Sequence, residues 1–582
     1  MKILLIGDVG GDEYHVGDEA VFQVALCELG ALPAAQITVV AAQPARVAER
    51  HGVQAIAQLG FHTAPGAAGD DERELRLQQV LDGTATDAAA VAVRAAVEAA
   101  DGVVVAGGGN MSAAWPHLLY ERVALLSLAA EADVPAVVVG QTLGPRFTPR
   151  QRERLGEALA GAQLVGVCDE ASLAVVHASP AADRAVLHVD DAVQLARTTD
   201  QRLPELPEQY LGLVLHHFLP DTEAMLAQLV RLVADLHRTS GLPVVLVPNT
   251  WPAPADAGAG GGAGADHCDR DGDGDGGSGD RESGHLTSSA ANDDLTLAIR
   301  LAALVDDPGV ALVAPTVDSC TTARVVRGAS AIVSTRRHPI VLALAAGVPC
   351  MAVSTDGYTA AKLDGALAPA GLSGWRLPAA ALATPAAAAM FADLWQRREL
   401  LGRHIAAATA AWPQLHAQRW QAVRATLAGD PAAPAALKAL TVDGDAATLA
   451  VLAPGDPMFA ALAAAEAAGH GQLLEVQRRF DTAEEYALSV RTALAARDTE
   501  IDGLREQALV LQRQHAAAQS TIARLEDELE HATLAADRAR ELVNTIDQHR
   551  TAELAAINNT RVMRWSRAPR SVYRRLRQAL HR

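Results

Sequence analysis

Short apolar runs separated by stretches of helical length and spacing fill the first two thirds of the chain. KILLIG, ITVVAA, GVVVAGGG, AVVVGQ and LVGVCD read as strands bounded by glycine or polar turns. They are apolar almost throughout rather than alternating, which predicts strands buried on both faces of a parallel sheet with helical crossovers. A polar, proline-bearing break, TTDQRLPELPEQ, interrupts the series around 200–208. A second series follows with YLGLVLHHF, PVVLVP, VALVAP, SAIVST and PCMAV. Two such series in tandem predict an α/β fold of two Rossmann-like domains, 1–200 and 208–425. The pair would face a cleft, with ligands at the carboxyl ends of the strands.

Other segments break this rhythm. Residues 253–291 are Gly, Asp, Ala and Ser with almost nothing to bury, so a disordered acidic insertion is expected. Within it DGDGDGGSGDRE, Asp271 to Glu282, has the spacing of a calcium-binding EF-hand loop. Its eighth position is Ser278 and its flanks are Gly-rich rather than helical, which favours a solvated acidic loop. An Ala/Pro-rich linker spans 426–470. From 471 to 556 a heptad pattern takes over, with Phe480, Val490, Leu494, Ile501, Leu504, Leu511, Ile522, Leu525 and Leu529 among its a and d positions. Arg497 and His515 interrupt it. A long coiled coil that makes a homo-oligomer is expected; one long helix folded back on the globular part is the alternative. The last segment, 557–582, carries eight arginines and no acid, interleaved with Trp565, Val572, Tyr573, Leu576 and Leu580. That mixture suits the headgroup region of an anionic leaflet, with a solvated basic tail or a nucleic-acid contact as the alternatives.

Charge and composition narrow the function classes. A net charge of −20 over 582 residues argues against nucleic-acid binding through phosphate neutralisation. Five scattered cysteines without CxxC spacing predict neither a disulfide framework nor a zinc site, and suit a reducing compartment. No secretory leader and no membrane span are read from the apolar runs. The chain is therefore expected in the cytoplasm, peripheral on the inner leaflet through its basic tail. Arginine replaces lysine almost everywhere, so a single arginine says little, whereas Lys362 stands out.

Candidate chemistry collects where strands meet helices. Arg336, Arg337 and His338 follow the apolar run AIVS, and Pro339 is read as the first residue of the next helix. Two guanidiniums at a helix start would bind a phosphate or carboxylate, and His338 could move a proton near neutral pH. After KILLIG comes DVGGDEYHVGDEA, where Gly10, Gly11 and Gly17 permit close backbone approach and Asp18 either acts on a ligand or caps the helix. Gly107, Gly108, Gly109 and Asn110 follow another strand and suit an anion cradle. Tyr358 and Lys362 lie in VSTDGYTAAKLDG.

In order, "HVGDEA", "GGGN", "GQTLGP", "CDEASL", "STRRHPIVLALAAGVPCMAV" and "YTAAK" resemble the polysaccharide pyruvyl transferases, over about residues 1–380 without the insertion. The resemblance implies a GT-B-like fold and transfer of pyruvate from phosphoenolpyruvate to a sugar hydroxyl, closing a ketal on a cell-envelope glycan or exopolysaccharide. It implies no metal and no cofactor beyond the donor substrate. Arg336 and His338 match the family's Arg-x-His, and Lys362 its downstream lysine. On that basis His338 and Asp18 are the expected catalytic residues. Arg336, Arg337, Lys362, Gly107, Gly108, Gly109, Asn110, Gly17 and His15 are expected to bind donor or glycan acceptor. The chain departs from the family at His15, where Asn is usual, at Cys168, where Arg is usual, and at His216–His217, where the strand often ends in Arg. A glycosyltransferase using a nucleotide-sugar, or a non-catalytic scaffold of a glycan-assembly complex on a coiled-coil stalk, are the other readings.

Overall fold

A computed structural model describes residues 1–62, 67–144, 147–198, 202–217, 219, 222–253, 293–315, 317–433, 437 and 453–455. The chain divides into two compact units, Met1–Ala483 and Glu484–Arg582. The predicted coiled coil and basic tail, nearly all of the acidic insertion and most of the linker lie outside the described residues.

The first lobe holds β1 (Lys2–Ile6), β2 (Glu13–His15), β3 (Gln36–Ala41), β4 (Gln54–Ala57), β5 (Gly102–Val105), β6 (Gly108–Met111), β7 (Ala136–Leu143), β8 (Leu164–Val167) and β9 (Ala185–Leu187). The second holds β10 (Leu211–Val214), β11 (Val244–Leu246), β12 (Thr250–Pro252), β13 (Ala311–Val313), β14 (Ala331–Ser334), β15 (Cys350–Ser354) and β16 (Arg376–Pro378). Each apolar run read as a strand is one. Both sheets are parallel: β4-β3-β1-β5-β7-β8-β9, with β6 paired on β7, and β13-β11-β10-β14-β15-β16. In each, the first strand lies in the middle and the order reverses beside it, which is the doubly wound Rossmann pattern.

Burial explains the apolar runs. Ile3 and Leu5 of β1, Val39 of β3, Val104 of β5 and Val137 of β7 enter one core layer. Their neighbours Leu4, Ile6, Val40, Val103 and Val138 enter the opposite layer. A strand covered by helices on both faces needs apolar residues at every position. The last long helix, Trp412–Leu427, returns to the first lobe and packs Trp420, Val423 and Leu427 under its sheet.

The lobes are also joined by a small antiparallel pair between β2 and β12, in which Trp251 stands opposite Tyr14. Those two rings stack with centroids 4.6 Å apart. The Val16 N–H donates to the Asn249 carbonyl at 3.0 Å, and the Ser319 N–H donates to the Tyr14 hydroxyl at 2.8 Å. This clasp holds the start of the helix Val16–Gly30 against the second lobe.

In a doubly wound sheet, ligands bind outside the carboxyl ends of the two strands flanking the order reversal. Here these are β1 and β5 in one lobe and β10 and β14 in the other. The residues that follow those four strands are Asp8, the Gly107–Asn110 stretch that runs into β6, His216–His217 and Arg336–His338.

Candidate functional site

The structure brings the scattered candidates into one interlobe cluster. The His338 ring lies directly against the α-carbon of Gly17, where any side chain would collide with it. A Cβ at Gly109 would come within 2.7 Å of Lys362 Nζ and 2.8 Å of the Tyr358 hydroxyl. A Cβ at Gly108 would sit 3.0 Å from Asp18 Oδ1. At Gly17 and Gly109 glycine answers the close approach of the opposite lobe; at Gly108 it answers a φ of +130° and contacts within its own lobe. Gly107 differs from its neighbours: it packs on the Gly140 carbonyl of β7 and serves the sheet. Asn110 is buried, and its Nδ2 has no hydrogen-bond partner among the described residues.

The two arginines, expected together at an anion, are each matched by a carboxylate. Arg336 forks Asp294, with Nε to Oδ2 at 2.9 Å and Nη2 to Oδ1 at 2.8 Å. His217 Nδ1 lies 2.8 Å from Asp294 Oδ1, and the His217 N–H also donates to it. Burial opposes ionisation of Asp294, yet Arg336 and His217 hold its pKa well below the usual carboxylate range. Burial and the adjacent guanidinium push His216 down to about 2. Atoms of His216, His217 and Asp294 lie within 4.8 Å of one another, a set that could in principle ligate a metal. Both Asp294 oxygens already face Arg336, so a divalent ion would meet a fixed cation; the set fits the guanidinium it holds.

Arg337 is enclosed rather than presented. Its Nη1 lies 2.8 Å from Asp190 Oδ2, and its Nη2 contacts Cys168 Sγ at 2.9 Å. Burial pushes the Cys168 thiol up to about 11, so it stays protonated beside the guanidinium. His338 Nε2 stands 3.8 Å from the same Asp190 oxygen, too far for a hydrogen bond, and has no partner among the described residues. Burial, only partly countered by Asp190, pushes His338 down to about 4. The imidazole is therefore neutral at pH 7, poised to accept a proton rather than to give one.

Pro339 is the third residue of its helix, Arg337–Ala345, and not the first. Arg336 is still extended there, because the Ser334 hydroxyl bonds both its N–H and its carbonyl and tightens the turn. The helix start thus keeps only the N–H groups of Arg337 and His338 as free first-turn donors.

Across the cleft His15, not Asp18, precedes the helix Val16–Gly30 as its cap. His15 Nδ1 lies 2.8 Å from Asp18 Oδ2, and its Nε2 lies 3.4 Å from Arg336 Nη1. A continuous polar chain therefore runs Asp18–His15–Arg336–Asp294 between the lobes. Burial works to raise the Asp18 pKa, but His15, His338 and Lys362 overcome it and hold the carboxyl well below its usual range. Lys362, half-buried, places its ammonium 4.9 Å from the Tyr358 ring centroid and pairs with no carboxylate among the described residues.

Three groups escaped the sequence reading. Asp190 and Asp294 hold the arginines, and Asp8 ends the β1 turn. The first two each belong to an Asp–Asp step, in HVDDA and ANDDL, which was the available signal.

No known family model matches the chain, and no curated protein does. Solved structures align with it at low identity. A "putative UDP-N-acetylglucosamine 2-epimerase" from Listeria monocytogenes aligns at 14% identity, covering 74% of this chain and 97% of that one with a TM-score of 0.46. MnaA of S. aureus, solved with UDP, aligns at 10% over 76% and 99%, TM-score 0.45. The spinosyn rhamnosyltransferase SpnG aligns at 14% over 71% and 100%, TM-score 0.39. At these scores the likenesses bear on neither substrate nor reaction. Among the described residues no helix is long and apolar enough to cross a membrane.

Proposed function

We propose that the chain is a pyruvyl transferase-like enzyme that moves pyruvate from phosphoenolpyruvate onto two hydroxyls of a glycan, closing a ketal and releasing phosphate. The observation that carries this reading is Lys362. Arg336 and Arg337 are already paired with Asp294 and Asp190, whereas the Lys362 ammonium faces Gly109 with Asp18 near enough to feel its charge but with no carboxylate in contact among the described residues. A half-buried cation with no carboxylate in contact is stabilised by an anionic ligand. Its company, Gly17, Asp18, Arg336 and His338, consists of the residues that carry the pyruvyl transferase resemblance.

In the reaction, the methylene carbon of the donor gains a proton and the adjacent carbon becomes oxocarbenium-like. A glycan hydroxyl attacks that carbon and gives up its proton. Phosphate leaves with the C–O electron pair, and the second hydroxyl closes the ring. Lys362 binds the donor's negative charge, with the Arg337 and His338 N–H groups in support. Neutral His338 accepts the proton of the attacking hydroxyl and passes it to the leaving phosphate. Asp18 stays ionised and orients His15.

Titration calorimetry of the full chain with phosphoenolpyruvate, and separately with a UDP-sugar, tests this. The donor is expected to bind, and Lys362→Ala to weaken it about 10- to 100-fold, the loss of one charge-assisted contact. Binding of the UDP-sugar alone would replace the reading with a nucleotide-sugar enzyme; binding of neither would leave a scaffold. The proposed setting is the cytoplasmic leaflet, where oligomeric heads would meet a lipid-linked glycan through several basic tails. Flotation with anionic vesicles should fail for a chain lacking 557–582; undiminished flotation would exclude the tail.

A further inference from the structure

We propose that Asp8 is the proton donor of this reaction, its carboxyl protonating the methylene carbon of the donor while Asp18 remains the ionised member of the pair. The inference rests on the pyruvyl-transfer reading and fills the one role that reading leaves open.

Position is the first argument. Asp8 is the second residue after β1, at the order reversal of the first sheet and close enough to Asp18 for the two carboxyls to interact. Beneath it the fully buried Arg122 donates to the Gly7 carbonyl at 3.0 Å and to the Leu118 carbonyl at 3.1 Å, which fixes the turn. A carboxyl at a strand end commonly caps the next helix, but His15 holds that place here. Among the described residues the half-buried Asp8 carboxyl makes no hydrogen bond and no ion pair. An aspartate at this site with no structural partner is free to act on a ligand.

The second argument is chemical. Asp18 has His15 at 2.8 Å to stabilise its charge, whereas Asp8 has no hydrogen-bond donor among the described residues and feels only the more distant charges of Arg122 and His15. Two neighbouring carboxyls in such unlike surroundings divide into a base and an acid. Burial and the Asp18 charge push Asp8 up to about 6. His338, pushed down to about 4, does not hold a proton at neutral pH.

The step balances. The Asp8 O–H breaks as the carbon–carbon π pair takes its proton to form the methyl group. The first hydroxyl adds to the central carbon and its proton goes to His338. The phosphate leaves with its bonding pair and takes that proton. The second hydroxyl adds, and its proton returns to Asp8.

Proton linkage tests this without an acceptor. An Asp8 that must be protonated beside the bound donor takes up about one proton per phosphoenolpyruvate at pH 7, read by calorimetry in buffers of different ionisation heat. Asp8→Asn should bind the donor without that uptake, while Asp8→Glu and His338→Gln should retain it. Uptake absent from the natural chain, surviving in Asp8→Asn, or lost instead in His338→Gln overturns the assignment while leaving pyruvyl transfer intact. Failure of the natural chain to bind the donor at all removes the underlying reading, and this proposal falls with it. Should Asp8→Asn not fold, uptake in the natural chain that vanishes in His338→Gln decides against Asp8, and uptake retained in both His338→Gln and Asp8→Glu decides for it.

Discussion

Asp190 and Asp191 are chain neighbours with opposite duties. Asp190 turns toward the cleft, 2.8 Å from Arg337 and 3.8 Å from His338. Asp191 turns toward the returning helix Trp412–Leu427, where it receives Arg419, the Trp420 indole N–H at 2.7 Å and His416 at 3.3 Å. Partners of Asp191 are anchored again elsewhere: Arg419 donates to the Val189 carbonyl at 2.8 Å, and His416 reaches Glu28 at 3.1 Å. Asp190's partner His338 keeps an unengaged ring nitrogen. The second lobe repeats the division. Asp293 caps the helix Asp294–Val305 by accepting from Thr296, and Asp294 holds Arg336. Each lobe thus offers one aspartate of an adjacent pair to one arginine of the Arg336–Arg337 step. What separates a brace from a site is anchoring: each partner of Asp191 is held again by a second group, whereas His338 in the cleft keeps a ring nitrogen without a hydrogen-bond partner among the described residues.

Removing the brace should have the largest effect on stability. Asp191→Asn strips the charge that compensates a fully buried guanidinium, and breaking such a pair costs about 3–5 kcal/mol. Denaturant unfolding should register that loss. A cost below about 1 kcal/mol would mean that the returning helix is held by Trp420 and its apolar neighbours alone. Asp190→Asn is the matching change on the cleft side. The amide still accepts from the Ala192 N–H, and the Arg337–Asp190 pair keeps a little exposure where the Arg419–Asp191 pair has almost none, so the expected stability cost is smaller, about 1–2 kcal/mol. Donor turnover should instead fall on the order of 10-fold or more, because Asp190 fixes Arg337, the chain neighbour of His338, and its charge acts on the imidazole. Equal stability losses in the two variants would erase the distinction.

This pairing also shows where the sequence stops being informative. Strands covered on both faces were legible, because two helix layers demand unbroken apolar runs. Missed were β2, β12 and β16, three residues each, β6, whose glycines read as an anion cradle, and the partly exposed β4 and β9, whose short patterns resemble turns. Arg336, His338, Asp18 and Lys362 were legible as polar groups at strand ends. Their counter-charges were not. Asp294 lies 42 positions before Arg336, just after the acidic insertion, and an ion pair between remote segments leaves no periodicity in either. Sequence therefore showed two cations and suggested two anion ligands, whereas folding had already matched each with a carboxylate. The Pro339 misplacement is local: the Ser334 side chain ties the Arg336 backbone into the turn and the helix starts at Arg337, two residues earlier than expected, through hydrogen bonds that no hydrophobic pattern encodes.

The smallest effect is expected beside the brace, at His188. Both ring nitrogens are buried with no hydrogen-bond partner among the described residues. Burial, with Arg419 and His416 adding repulsion, pushes its pKa down to about 2. Native His188 is neutral, so below the unfolded value near 6.5 the unfolded chain binds the extra proton. Its contribution is present above that pH and lost as pH falls toward the native value. His416 runs the other way: Asp191 and Glu28 outweigh burial and raise its pKa, giving stability at low pH that fades as pH rises through that raised value. His188→Leu removes only the first term. At pH 7 it should change stability by no more than about 1 kcal/mol. At pH 5, about 1.5 units below the unfolded value, it should recover about 2 kcal/mol relative to the natural chain. Unfolding curves at the two pH values measure the difference. An unchanged acid slope would show that the folded chain finds a partner for the His188 proton, so that the region beside the brace can adjust as the cleft does.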